Sequence, residues 1–254
     1  MIKLADLPVA WQEDRNAFVE KFLADCEETP VISLGFSDSF SSCHSVQFAD
    51  CSSERFIRSK SGDILLANNN WSEAMSYLLP AHDKDYALPL AALCSRFSYY
   101  NTVLVHSSFV KYQDSGILFT GYSGVGKTTQ AQLWEKFLGA QIVNGDKAFI
   151  RNVDGKFFGY GLPWKGSSEY CVNTKVPLRA VVVLRQSSEN KITHLDAEAA
   201  EYFMPHIFFP HWDSDCLDNA LAVFDSLLKS VPVWLLECRP DEESVRLTYD
   251  TIFG

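Results

Sequence analysis

Ile117-Leu118-Phe119-Thr120-Gly121-Tyr122-Ser123-Gly124-Val125-Gly126-Lys127-Thr128-Thr129 is the stretch on which the reading of this chain turns. Apolar residues lead into a run of glycines, and a segment of helical composition, Thr128 to Leu138, leads out of it. Gly139 follows as a helix stop. The spacing G-x-x-x-x-G-K-[ST] is met at every fixed position, and its physical sense is plain. Glycines let the backbone turn its N–H groups inward, the helix N-terminus adds positive potential, and a lysine neutralises phosphate charge. Such a loop also arises by chance on a protein surface, but an entering strand and a leaving helix are the context the mechanism requires. The stretch therefore predicts a cradle for the phosphates of ATP, built from Gly121, Ser123, Gly124, Val125, Gly126, Lys127, Thr128 and Thr129. Lys127 is expected to reach the β/γ-phosphates and the Thr128 hydroxyl to ligate Mg²⁺.

Magnesium prefers a carboxylate beside the hydroxyl and the phosphates. Asp146 is the candidate, at the end of the strand Gln141-Ile142-Val143-Asn144, the first after the loop's helix. Asn144-Gly145-Asp146 also makes a good turn with no metal at all.

Outward from the loop, Val103 to Val110 reads as a strand, Asp114-Ser115-Gly116 as a turn and Ile117 to Thr120 as the returning strand. Leu88 to Tyr100 carries a helical stripe that bridges two parts of the chain. Later strands are expected at Lys156–Tyr160, Ala180–Leu184 and Val231–Glu237, a helix at Asp218–Leu228, and a last helix opened by Pro240-Asp241-Glu242-Glu243. Upstream, Val31 to Leu34 and Asp63 to Leu66 suggest a small sheet. Ser72-Glu73-Ala74 looks like the start of a short helix running toward Leu79 and ended by Pro80, and Asp83 to Asp85 like a polar break. The expected organisation is a small strand-rich domain over 1–101 and a nucleotide-binding α/β (α+β) domain with a mixed sheet over 102–254.

The 254 residues carry 22 Lys and Arg against 32 Asp and Glu, a formal charge of −10. That balance repels nucleic acid and anionic lipid over most of the surface while leaving room for one local basic pocket. Seven cysteines, odd in number and without a C-x-x-C pair, suit buried thiols in a reducing cytoplasm. Cys43-His44 with Cys51, and His206 with His211, lack the second ligand pair of a zinc site. No apolar stretch approaches a membrane span, and the acidic N-terminus does not read as a signal peptide.

Taken together, the strand with His106, the loop, the acidic position one helix later and Tyr160-Gly161-Leu162-Pro163-Trp164-Lys165-Gly166 resemble the kinase domain of the HPr kinase/phosphorylase family. They also resemble its relative, the phosphoenolpyruvate carboxykinase fold. The likeness covers roughly Thr102 to Phe253. It implies a Mg²⁺-ATP-dependent transfer of the γ-phosphoryl group to a serine- or threonine-type hydroxyl of a protein, peptide or serine-like small molecule. Related kinases are often multimeric, which leaves a homo-oligomer open without fixing the oligomeric state. The family's site usually offers two adjacent carboxylates, whereas Gly145 here precedes Asp146, which matches the metal-linked one. The base position then falls to Asp146 itself, to His106 or to an acid such as Glu169, or transfer is slow or absent. His106 could orient the γ-phosphate or the hydroxyl, or be a strand histidine satisfied inside the sheet. Lys165 could neutralise the transferring phosphate, or be an exposed loop lysine. A degenerate ATP-binding regulatory module is the alternative expectation, and a decarboxylating carboxykinase is disfavoured by the chain's length.

Overall fold

The computed structural model describes residues 1–12, 16–37, 55–60, 62–78 and 86–254. Pro80, the Asp83–Asp85 break and Cys43, His44 and Cys51 lie outside them. The chain begins with a hairpin, β1 (Ile2–Leu4) and β2 (Leu7–Trp11), then a single helical turn, α1 (Asn16–Val19), and β3 (Ile32–Ser37). β4 (Arg55–Arg58), β5 (Ile64–Ala67) and β6 (Glu73–Tyr77) complete a six-stranded mixed sheet in the order β1-β2-β3-β6-β5-β4.

The helix expected at Ser72 is strand β6. Glu73 and Met75 are exposed while Ala74 and Ser76 are buried, a period of two. The strand lies inside the sheet, parallel to β3 and antiparallel to β5. Its cap-like Ser72 belongs to a turn, in which Asn68 accepts from the Glu73 amide and Asn70 from the Ser72 amide. Pairing on both edges overrides a weak local helix signal.

Helix α2 (Ala87–Ser98) leads into β7 (Thr102–Tyr112), which turns at Gln113-Asp114 into β8 (Ser115–Thr120). The turn thus falls one residue earlier than expected. Next come α3 (Lys127–Leu138), β9 (Gln141–Asn144), β10 (Lys147–Val153), β11 (Lys156–Tyr160), β12 (Lys175–Gln186) and β13 (Lys191–Leu195). The chain closes with α4 (Ala199–Phe203), β14 (Ile207–Phe208), α5 (Ser214–Ser230), β15 (Val233–Cys238) and α6 (Glu242–Phe253). The second sheet has nine strands, ordered β11-β10-β7-β8-β12-β15-β13, with β9 and β14 also paired to β7. At its centre β8, β12 and β15 run parallel, and the outer pairings are antiparallel. One face packs Phe203, Val223, Phe224 and Leu227 from α4 and α5. The other packs Ala131 and Trp134 of α3 with Val245 and Ile252 of α6. Ends of parallel strands buried on both faces are where α/β sheets place ligands.

A further apolar cluster joins Trp11, Phe36, Leu65 and Trp71 of the first part to Leu104, Phe149, Tyr160 and Trp164 of the second. Asp213 ties the same parts together by polar contacts. Its buried carboxylate accepts from Trp71 Nε1 at 3.0 Å, pairs with Arg55 Nη2 at 3.0 Å, and caps α5 through the Cys216 amide at 3.1 Å. Burial opposes this charge, but the indole and amide donors with Arg55 hold the carboxyl below its usual value. Asp213→Ala would remove a helix cap and leave Arg55 and Trp71 without their acceptor. A loss of roughly 3 kcal/mol is expected on urea unfolding, and an unchanged midpoint would show that the tie carries no stability.

Candidate functional site: a glycine loop facing a clamped carboxylate

Strand β8 ends at Thr120, and the loop 121–126 carries the chain into α3 as expected from the sequence. Gly124 and Gly126 sit at φ +79° and +110°, and a Cβ at either would meet open space. Backbone conformation alone therefore demands glycine there. Gly126 is the N-cap of α3, and the helix has no acidic residue in its first turn. The leading amides of a helix lack intrahelical partners, an arrangement suited to an anion. Ser123 and Thr129 are exposed, and Val125 donates its amide to Tyr122 O at 3.2 Å to close the turn. Lys127 is almost fully buried and donates to Gly121 O at 3.0 Å and Tyr122 O at 3.3 Å. Burial lowers its pKa, against a smaller upward pull from Asp146. The structure thus keeps a desolvated cation at the mouth of the loop, close enough to Asp146 to feel its charge.

Thr128 and Asp146 come together through the residue between them and the loop. The Thr128 hydroxyl donates to Gly145 O at 3.2 Å, and Ser108 Oγ donates to the same carbonyl at 3.0 Å. Asn144, fully buried, shapes the turn. Its Oδ1 accepts from the Asp146 amide at 2.9 Å and the Lys147 amide at 3.0 Å, while its Nδ2 donates to Leu162 O and Trp164 O. The turn reading of Asn144-Gly145-Asp146 and its proximity to the loop hold at once. The same asparagine also fixes the segment Gly161–Gly166 over the site. Trp164 anchors that segment by inserting beside Trp11 and Phe18 and donating Nε1 to Tyr86 O at 3.1 Å. Gly166 packs directly on Asp146, and a Cβ there would lie 2.9 Å from Asp146 Cγ.

The Asp146 carboxylate is clamped on both oxygens. His106 Nε2 stands 3.3 Å from Oδ1, and the Lys147 ammonium contacts Oδ2. Register explains the clamp, since His106 and Lys147 are direct partners across the β7–β10 ladder and share one face of the sheet. Burial would raise the Asp146 carboxyl, but the hydrogen bonds and charges of His106 and Lys147 bring it down to about 2. His106 is thus half-exposed at the sheet surface rather than enclosed in the core. Lys165 and Glu169 are exposed on the segment after Trp164.

The position before Asp146 is closed as well as empty of charge. A Cβ on Gly145 would fall 2.1 Å from Ser168 Oγ and 2.6 Å from Ser168 Cβ. Ser168 itself is held by accepting the Tyr170 amide at 3.0 Å.

Three residues beyond the sequence expectations belong to this constellation. Lys147 neighbours Asp146 in sequence, yet only the strand β10 shows that it faces His106. Asn144 is a turn residue in sequence and a buried organiser in the fold. His206, weighed above only as a metal ligand, packs edge-on against Tyr122 of the loop with ring centroids 5.3 Å apart. Burial and the charges of Lys127 and His106 push its imidazole down to about 4. A histidine whose folded pKa is depressed stabilises fully above its unfolded value near 6.5, and that stability is lost as pH falls toward 4. His206→Gln is expected to flatten the loss of stability between pH 7 and 4.5, worth on the order of 2 kcal/mol. Equal slopes for both proteins in that window would refute the assignment.

Hollows flank the loop at the ends of the parallel strands. One of about 650 Å³ lies between Tyr122, Arg185, Tyr202 and His206, and another of about 360 Å³ between Val125, Thr129, Gln186 and Arg239. Among the described residues no three His, Cys, Asp or Glu converge as a metal cage. The oxygen donors that are present, the Thr128 hydroxyl and the ionised Asp146, fit a hard cation that takes its remaining ligands from phosphate and water. No helix among the described residues is long and apolar enough to cross a membrane.

No family model matches the chain, and no curated protein sequence matches it. Among solved structures it is similar to the Hpr(Ser) kinase/phosphatase from Coxiella burnetii, at 13% identity and a TM-score of 0.36, over 59% of this chain and 99% of that one. So faint a likeness leaves the reading of the site to its own geometry.

Proposed function

We propose that the chain is a Mg²⁺-ATP-dependent kinase that moves the γ-phosphoryl group to a hydroxyl of a protein, peptide or serine-like molecule. The observation that supports this reading is the hydrogen bond of Thr128 to Gly145 O, which joins the helix after the glycine loop to the turn carrying Asp146, with the buried Lys127 close enough to feel that carboxylate's charge. Loop amides and Lys127 bind and neutralise the phosphate chain. Mg²⁺, held by Thr128 and Asp146, would supply further neutralisation of charge on the transferring group. In the transfer, the acceptor oxygen forms a bond to the γ-phosphorus and the bond to the β–γ bridging oxygen breaks. The electron pair leaves with ADP, and the hydroxyl proton passes to solvent. A carboxylate held near 2 is a weak proton acceptor, so Asp146 serves here as metal ligand and orienting group. Phosphoryl transfer through a loose transition state needs little more than positioning and charge neutralisation.

Incubation with γ-labelled ATP, Mg²⁺ and hydroxyl acceptors tests the proposal. Label transfer that depends on Asp146 and Lys127 supports it, and nucleotide binding equal in wild type and Lys127→Ala rejects it. A second reading, an ATP-binding regulatory module without transfer, draws on the closed position at Gly145. Gly145→Asp alone would collide with Ser168, so the informative variant is Gly145→Asp with Ser168→Gly. Transfer appearing only in that double variant would favour the module. In either reading residues 1–101 take the role of recognising a partner molecule.

A further inference from the structure

A cavity of about 930 Å³ lies between α1, α2, the segment Pro163–Gly166 and β14. Its rim includes Lys147, whose ammonium contacts Asp146, and Gly166, whose backbone rests on the same carboxylate. The cavity therefore borders two groups, Lys147 and Gly166, that both touch the Asp146 carboxylate. Phe208 marks the same boundary, with its ring 6.4 Å from that of His106 and its edge in the cavity wall.

The walls state what could bring it. Phe18, Tyr86, Trp164, Phe208, Phe209 and Trp212 line the space, and Phe208 and Trp212 remain 41% and 44% exposed. Half-exposed aromatics at the mouth of a concave site are unusual for core packing and common where a ligand body is held. The charges run against those of the molecule as a whole. In a chain of net charge −10, the described residues of this lining bring Lys21, Lys147 and Lys165 against Glu20 as the single acid. Lys147 is engaged by Asp146, and Lys21 donates to Cys171 O at 3.2 Å. Among the described residues no carboxylate pairs with Lys165. Lys21, Lys165 and Cys171 all line this same cavity. The volume falls in the range that encloses small molecules.

We propose that this cavity binds the phosphoryl acceptor, and that the acceptor is a small hydroxyl-bearing organic acid with an aromatic or other apolar body. Its body lies among Phe18, Trp164, Phe208 and Trp212, its carboxylate meets Lys21 and Lys165, and its hydroxyl faces Asp146. The acceptor role rests on the kinase reading above, whereas the binding chemistry does not.

The test is calorimetry with N-benzoyl-L-serine, its uncharged methyl ester and N-acetyl-L-serine, beside a separate titration with Mg²⁺-ATP. The free acid should bind at least tenfold more tightly than the ester, and loss of the benzoyl ring should weaken binding by a similar factor. Lys21→Ala should erase most of the difference between acid and ester without altering Mg²⁺-ATP affinity. Trp212→Ala should erase most of the benefit of the ring. Acid and ester binding alike, or none of the three binding, overturns the proposal, as does label transfer to a folded protein alone. Failure of Mg²⁺-ATP to bind while the acid still does would instead sink the kinase reading and leave the cavity assignment standing.

Discussion

Lys127→Ala is expected to lower the affinity for Mg²⁺-ATP by roughly a hundredfold, the usual worth of a buried charge-assisted contact to phosphate, while leaving the folded protein no less stable. The two effects have one cause. The Lys127 ammonium is almost fully buried and its pKa is lowered by that burial, so the charged form is disfavoured in the folded chain. A lysine with a depressed folded pKa opposes folding at neutral pH, because the unfolded chain holds its proton more tightly. Carbonyl oxygens of Gly121 and Tyr122 compensate only in part. Truncation relieves that opposition and at the same time removes the cation that phosphate would meet. Thermal unfolding with and without Mg²⁺-ATP separates the two. Wild type should melt higher with the ligand, by mass action, and the variant should not. A variant that melts lower without ligand, or that still gains from it, would mean the lysine holds the loop together and does not serve phosphate.

Legibility in the chain followed how local each constraint is. The β8–loop–α3 unit is specified by one continuous stretch, Ser115 to Gly139, and strand, glycines, lysine and the Gly139 stop, at φ +68°, all stand where the spacing puts them. The central parallel strands are legible because burial on both faces makes them apolar throughout, as in Ala180 to Leu184. The β10–β11 hairpin carries a strong signal of its own, Asp154-Gly155 at φ +51° and +81°, although β10 is masked by the polar Lys147, Arg151 and Asn152. The first hairpin carries none. Ala5 and Asp6 occupy φ +53° and +59° without a glycine, a conformation the chain tolerates because distant groups hold it. Arg151 donates to Ala5 O, and Lys175 and Tyr160 hold Asp6. The site divides in the same way. Thr128, Lys127 and Asp146 are legible from spacing, whereas Lys147 opposite His106, Ser168 over Gly145 and His206 beside Tyr122 depend on register and loop return. Pairing across such sequence separations leaves no periodic trace.

Asp146→Asn is expected to reduce phosphoryl transfer by about a thousandfold, the scale on which removal of one charge-stabilising group acts at a reacting centre. Nucleotide binding without Mg²⁺ should change little, because the loop amides and Lys127 are untouched. The amide preserves size and the turn built by Asn144, so the variant isolates charge from shape. It leaves Lys147 and His106 with no anion between them, and a divalent ion with one oxygen donor fewer in a site that has no carboxylate at position 145. Stability should report the same charge independently. The folded Asp146 pKa, about 2, lies below its unfolded value of 3.8. Its contribution is therefore complete above pH 3.8 and lost as pH falls through 2. Wild type should exceed the variant by about 1–2 kcal/mol at pH 7, after allowance for partial solvent access, and the gap should narrow below pH 3.8 and close as pH falls through about 2. A variant equal in stability yet inactive would place the carboxylate on metal and substrate alone. One that is less stable yet fully active would make it a structural counter-ion for Lys147, and the constellation would then lack the negative centre on which metal-assisted transfer depends.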